Sequence, residues 1–213
     1  MKKLFILLAC LILTGITNAQ QIHLKQQKGF EYKRMPFLDS LNIKEPDFDT
    51  LAIELRFLHV EWSVIFPNAV LWQIKKDKNG YWSGFSHSFL FYNPEHYDFN
   101  AIVTPLYFGN TWQSSWDSIL HNGFLNLPDE NSIEIKCVPL CGGLPLILGI
   151  GGGDLYTVEI LTKEVRRIIS YSNPAIKYED YIEEYGVDCY AIDYYRKFIE
   201  FINLLKNGLS DGK

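Results

Sequence analysis

The tetrapeptide Asp77-Lys78-Asn79-Gly80 limits what this chain can become more than any other feature in it. An Asn-Gly pair accepts the positive φ angles of a tight hairpin, and such a turn forces the flanking segments to run antiparallel. The flanks suit that role. Residues 69–75 precede the turn, and residues 81–92 follow it as a long aromatic stretch. Upstream, residues 51–60 are apolar, broken at alternate positions by Glu54 and Arg56 and again at His59. Side chains in a strand alternate, so Tyr81, Ser83, Phe85, His87, Phe89 and Phe91 share one face, while Trp82, Gly84, Ser86, Ser88, Leu90 and Tyr92 share the other. The first set is expected to face the core. Asn93-Pro94 ends the strand, since proline cannot donate to a ladder.

Further strands are expected at 101–108 and 132–138, with a second hairpin at 155–161 and 165–171 turning through Thr162-Lys163-Glu164 and closed by Asn173-Pro174. Residues 111–121 read as a short helix, with Thr111 or Ser114 as N-cap and Trp112, Trp116, Ile119 and Leu120 on one side. Ile192, Tyr195, Phe198, Ile199, Ile202 and Leu205 recur at helical spacing, and Asn207-Gly208 supplies a stop. These elements make an α+β fold: a mainly antiparallel sheet built from hairpins, covered by a C-terminal amphipathic helix and a shorter helix. Residues 51–207 are expected as one domain, preceded by an N-terminal arm at 20–50 and followed by a tail at 208–213.

Residues 1–19 read as a signal peptide. Lys2 and Lys3 form a positive start, residues 4–13 an apolar run, and Thr17-Asn18-Ala19 a cleavage site before Gln20. The apolar run is shorter than the roughly 20 residues a spanning helix needs, so the mature chain is expected to carry no integral membrane span. The expected address is periplasmic or extracellular. Leu7-Leu8-Ala9-Cys10 resembles a lipobox, which makes a lipoprotein anchored through Cys10 the alternative. Cleavage removes two lysines and takes the formal charge from −5 to −7, which argues against nucleic acid as a partner.

Cys137, Cys141 and Cys189 remain after cleavage. An oxidising compartment favours one disulfide among them. A bond from Cys189 to the 137–141 loop would close about 50 residues and add on the order of 3–4 kcal/mol.

Motifs of catalysis are near misses. Gly84-Phe85-Ser86-His87-Ser88 lacks the second glycine of a nucleophile elbow and lies mid-strand, where Ser86 and His87 face opposite ways. Gly149-Ile150-Gly151-Gly152-Gly153-Asp154 ends in an aspartate that would repel phosphate, and a strand follows it where a phosphate cradle opens a helix. His96 and Asp98 lack a third ligand at metal-site spacing. No catalytic residue, metal or cofactor is assigned. Residues 141–153 hold six glycines, a fair place for a ligand to approach backbone.

One segment carries binding chemistry. Glu179, Asp180, Glu183 and Glu184 interleave with Tyr178, Tyr181 and Tyr185. Carboxylates bind hydroxyl or cationic groups and aromatic rings stack, so these seven residues are a candidate surface for a protein or glycan partner. The plainer alternative is a solvated acidic face with its tyrosines packed inward.

The order of landmarks is also informative. Lys75-Lys76-Asp77-Lys78-Asn79-Gly80-Tyr81-Trp82 resembles the K-D-x-N-G-x-W hairpin of small exported Gram-negative bacterial proteins of unknown function. Phe124-Leu125-Asn126-Leu127-Pro128-Asp129, Asp154-Leu155-Tyr156-Thr157-Val158-Glu159-Ile160, Tyr171-Ser172-Asn173-Pro174 and the C-terminal amphipathic helix follow in the order those proteins show. The resemblance spans residues 70–205. It implies an exported single domain and brings no catalytic residues. The reading at this level is an exported, non-enzymatic protein that binds a protein or glycan partner. A small carboxylate-dependent hydrolase acting on carbohydrate and an inhibitor or immunity-type protein are the alternatives.

Overall fold

The computed structural model describes residues 24–25, 27, 34–62, 67–90, 101–135, 137 and 153–211. The expectations for residues 1–19, for His96 and Asp98, and for Cys141 with the glycines up to 152 lie outside these.

Six strands form one antiparallel sheet: β1 (Leu51–Trp62), β2 (Asn68–Asp77), β3 (Trp82–Leu90), β4 (Ile102–Phe108), β5 (Gly153–Leu161) and β6 (Arg166–Ser172). Their order is β6-β5-β1-β2-β3-β4, and the short β7 (Leu209–Asp211) pairs with β4. Three helices accompany them: α1 (Trp112–His121), α2 (Pro174–Tyr185) and α3 (Tyr190–Gly208). The architecture is the α+β fold expected from the hairpin pattern. The 77–80 turn closes as its sequence requires, for Asp77 Oδ1 accepts from the backbone N–H groups of Asn79 and Tyr81, each at 2.8 Å. Gly80 sits there at φ +92°.

The main core lies between the sheet and the helices. Alternate residues Ile53, Leu55 and Phe57 of β1 and Tyr156, Val158 and Ile160 of β5 meet Phe198, Phe201 and Leu205 of α3. The helical stripe differs in one position from the expectation: Phe201 is sealed in the core and Ile199 is only half-buried. At 100° per residue the stripe is centred on Phe198 and Phe201, which leaves Ile199 on its flank.

The face assignment of β3 holds in its second half, where His87 and Phe89 are buried, and fails in its first half. Trp82, on the face expected to be outside, packs against Trp112 and Trp116 of α1 with ring centroids 5.0 and 4.8 Å away. Tyr81 and Phe85 on the other face are exposed. Gly84 explains the preference. A Cβ there would lie 2.5 Å from the Gln73 carbonyl and 3.1 Å from Leu106 Cδ1, so the missing side chain lets Leu106 seat against the strand.

The second face of the sheet has its own smaller core. Met35, Phe37, Leu38, Leu41 and Ile43, in the second half of the N-terminal arm, pack on Leu58, Val60, Ala69, Leu71 and Phe89. Beside them lies a charged network with no solvent exposure at its ionic groups. Arg56 Nε donates to Glu54 Oε1 at 2.7 Å and Arg56 Nη1 to Glu159 Oε2 at 2.8 Å. Arg56 Nη2 reaches the Lys44 carbonyl at 3.0 Å, so the network also fastens the arm. Gln73 Nε2 adds a bond to Glu54 Oε1 at 2.9 Å.

The chain departs from expectation at three further places. Residues 130–132 form a 3-10 turn and 133–135 have no regular structure, where a strand was expected. Asp129 caps that turn by accepting from Asn131 N. Its other oxygen accepts from Ser170 N at 3.0 Å, and Glu130 Oε2 accepts from Ser172 N at 3.0 Å, so both side chains lie along the outer edge of β6. Helix α2 was not anticipated. Its start is signalled by Pro174 in the first turn, where the missing N–H costs nothing. Residues 209–211, read as tail, form β7.

Candidate functional site

A half-open cavity of about 190 Å³ opens where the start of β5, the first turn of α2 and the last turns of α3 converge. Asp154 and Tyr156 line it from β5; Asn173, Pro174, Ala175 and Ile176 from the β6–α2 junction; Ile199, Ile202, Asn203 and Lys206 from α3. The spacing of the α3 residues, at three and four, puts them on one flank of the helix. This is why Ile199 leaves the core stripe.

The junction is tightly built. Asn173 adopts a left-handed conformation at φ +47°. Its Oδ1 accepts from Asp154 N at 2.6 Å, and its own N–H donates to the Asp154 carbonyl at 2.7 Å. Gly153, at φ +135°, has no space for a side chain: a Cβ would lie 1.8 Å from Asn173 Oδ1. The last residue of the glycine-rich stretch therefore has a steric reason to be glycine, and the cavity begins one residue after it.

Polar groups gather at the β5 wall. Asp154 Oδ1 lies 2.7 Å from His59 Nε2, and the His59 ring stacks on Tyr156 with centroids 4.4 Å apart and planes within 7°. Burial, then the charge and hydrogen bond of Asp154, then Glu61, push the Tyr156 phenol up to about 12. The Lys206 ammonium lies 5.5 Å from the Tyr156 ring centre. The cavity thus offers a carboxylate, two amides and an ammonium over an apolar floor.

None of the seven residues singled out from the acidic segment lines this cavity. All seven lie on α2, whose first turn forms one of its walls. Glu179 and Glu183 are exposed, while Asp180 and Glu184 are half-buried. Tyr178 and Tyr181 pack against the main core, and Tyr181 meets Tyr195 with centroids 5.2 Å apart. Tyr185 packs in a small cluster with Cys189 and Ile192. The segment is one helix with its carboxylates outward or along its flank and its rings turned inward. Cys189, just before α3, forms a disulfide with Cys137, with Cα atoms 5.6 Å apart.

His87 is buried in β3, and neither ring nitrogen has a hydrogen-bond partner among the described residues. Burial, and then Lys75, hold its pKa below the ordinary value. Ser86 projects to the opposite face, so the two form no dyad. Among the described residues no group of three or more His, Cys, Asp or Glu side chains is placed to hold a metal ion. No described helix is long and apolar enough to cross a membrane.

Sequence reasoning missed the cavity because its walls come from three separated segments. Asn173-Pro174 and Asp154 were visible as turn and strand markers, and Lys206 carried no local signal. No family model, curated protein or solved structure matches the chain.

Proposed function

We propose that this is an exported, non-enzymatic protein that binds a glycan, with the cavity between β5, α2 and α3 as the site that takes one sugar residue. The cavity carries the proposal. Sugar rings present hydroxyls at their edge and C–H groups on their faces, and here mixed donors and acceptors surround Pro174, Ile176, Ile199 and Ile202. Its volume is below the roughly 300–1,000 Å³ of pockets for drug-sized ligands, which suits a single ring. Binding is favoured over hydrolysis because Asp154 alone among the described carboxylates lines the cavity, whereas a glycosidase needs an acid and a second carboxylate flanking one bond. The exposed carboxylates Glu179 and Glu183 on the same α2 helix are the adjoining surface for the rest of the partner.

Export to the periplasm or beyond is supported by the composition of residues 1–19 and by the Cys137–Cys189 disulfide, a bond that persists in oxidising compartments. Mass spectrometry of the secreted chain should find Gln20 at its N-terminus; a lipid-modified Cys10 would overturn that address.

The test of glycan binding is an array screen with the oxidised protein, repeated with Ala175→Trp. Ala175 is exposed on the cavity rim, so a tryptophan there should fill the site and abolish capture while leaving the melting temperature unchanged. Capture that survives the substitution would place the site elsewhere.

A further inference from the structure

Resting on the glycan reading, we propose that the sugar recognised in this cavity carries a carboxylate, as a uronic-type residue does, with its acid group at Lys206 and its hydroxyls at Asp154.

The polar groups divide into two ends. At the β5 end, Asp154 already accepts from His59. An ionised carboxylate has about four lone-pair positions, so it retains capacity for hydroxyl donors. Glu61 lies directly across the ladder from Asp154 and adds a second negative charge to this end. An anionic group is therefore disfavoured there, and a neutral donor is favoured.

The α3 end is the reverse. Lys206 brings three donors and a full positive charge, and its ammonium forms no ion pair among the described residues; its neighbour is the Tyr156 ring. Asn203 stands one turn earlier on the same flank and lines the same cavity. The Asn173 side-chain NH₂ also donates to no described residue, its oxygen being held by Asp154 N. An ammonium with amide donors beside it calls for an acceptor bearing a charge.

These demands select among sugars. A neutral sugar satisfies Asp154 and leaves Lys206 without a counter-charge. A sugar phosphate brings close to two negative charges into a site that already holds Asp154 and faces Glu61. A simple carboxylate such as acetate meets Lys206 and gives Asp154 no hydroxyl. One carboxylate on a hydroxylated ring meets both ends, and its C–H face lies on Ile199 and Ile202.

The experiment is a titration of the oxidised full-length mature chain with glucuronate, galacturonate, N-acetylneuraminate, glucose and acetate, followed by amide chemical shifts at low and high salt. At least one acidic sugar should bind about tenfold more tightly than glucose and acetate, since a charge-assisted hydrogen bond is worth about that factor. Its affinity should fall with salt. Lys206→Gln should bring the acidic sugar down to the affinity of glucose measured on the same variant, with the melting temperature unchanged, because Lys206 is exposed. If glucose binds as tightly as every acid tested, or Lys206→Gln leaves the preference intact, the acidic-sugar proposal is overturned and glycan binding stands. If acetate matches the acidic sugars, the site reads a bare carboxylate and the proposal fails. If no sugar shifts residues of the cavity, the glycan reading falls with it.

Discussion

Arg56 Nη1 and Glu159 Oε2 sit 2.8 Å apart, directly opposite each other on β1 and β5, with neither side chain exposed to solvent. Burial would lower the Arg56 guanidinium, yet the charges and hydrogen bonds of Glu54 and Glu159 outweigh it and hold it above its ordinary value. Two carboxylates therefore depend on one cation. Arg56→Met should destabilise the chain by about 3–5 kcal/mol at neutral pH, the usual cost of stranding a buried charge. Urea melts should show that loss shrinking on acidification, as the stranded carboxylates take up protons.

The two neighbours Phe198 and Ile199 should respond in opposite ways. Phe198 is fully buried among Tyr171, Tyr156 and Phe201, so Phe198→Ala should cost about 3–5 kcal/mol. Ile199 borders the cavity, and Ile199→Asp should leave the fold intact while weakening any ligand that rests on that wall. Denaturant midpoints for the two variants, set beside binding titrations, check both.

Alkali should loosen the fold through its buried phenols. Tyr156 is raised to about 12 by burial, then by Asp154 and Glu61; Tyr171 and Tyr195 are raised by burial first and by Glu130 next. A raised phenol favours the protonated, folded form. Its contribution is complete below the unfolded value of about 10 and is lost as pH climbs through the folded value. Stability should therefore drop between pH 10 and 12, with tyrosinate absorbance appearing together with unfolding. Tyr171→Phe should soften the drop without harm at pH 7, because the Tyr171 hydroxyl is buried with no hydrogen-bond partner among the described residues.

Reduction should separate fold from fastening. The Cys137–Cys189 bond spans 52 residues, for which chain entropy assigns about 4 kcal/mol. Cys189→Ala should lower the urea midpoint by a matching amount, and dithiothreitol should have no further effect on that variant.

Local chemistry explains which parts were legible beforehand. The 77–80 turn, the second hairpin and α3 each declare themselves within a dozen residues, through Asn-Gly, alternation or a stripe of period 3.6. The face of β3 was only half legible, because both faces of the sheet are covered: Trp82 meets α1 while Phe89 meets the N-terminal arm. Residues 132–138 have strand-like composition, but Asp129 and Glu130 are committed to β6. Helix α2 was hidden by its charge: seven acidic or tyrosine positions in a row of eight read as surface until the tyrosines find α3. The cavity needed the folded chain, since Asp154, Asn173 and Lys206 meet only through topology.

The carboxylates of Asp129 and Glu130 along β6 have a counterpart at the far side of the sheet, where β7 pairs with Leu106–Phe108 of β4. An uncovered edge strand is an invitation to polymerise, because its free N–H groups will accept a strand from any other molecule. Here one border is met by acid side chains and the other by the chain's own C-terminal end. Removing β7 would reopen the second border, so a form cut before Leu209 is the one to watch for fibrous self-association.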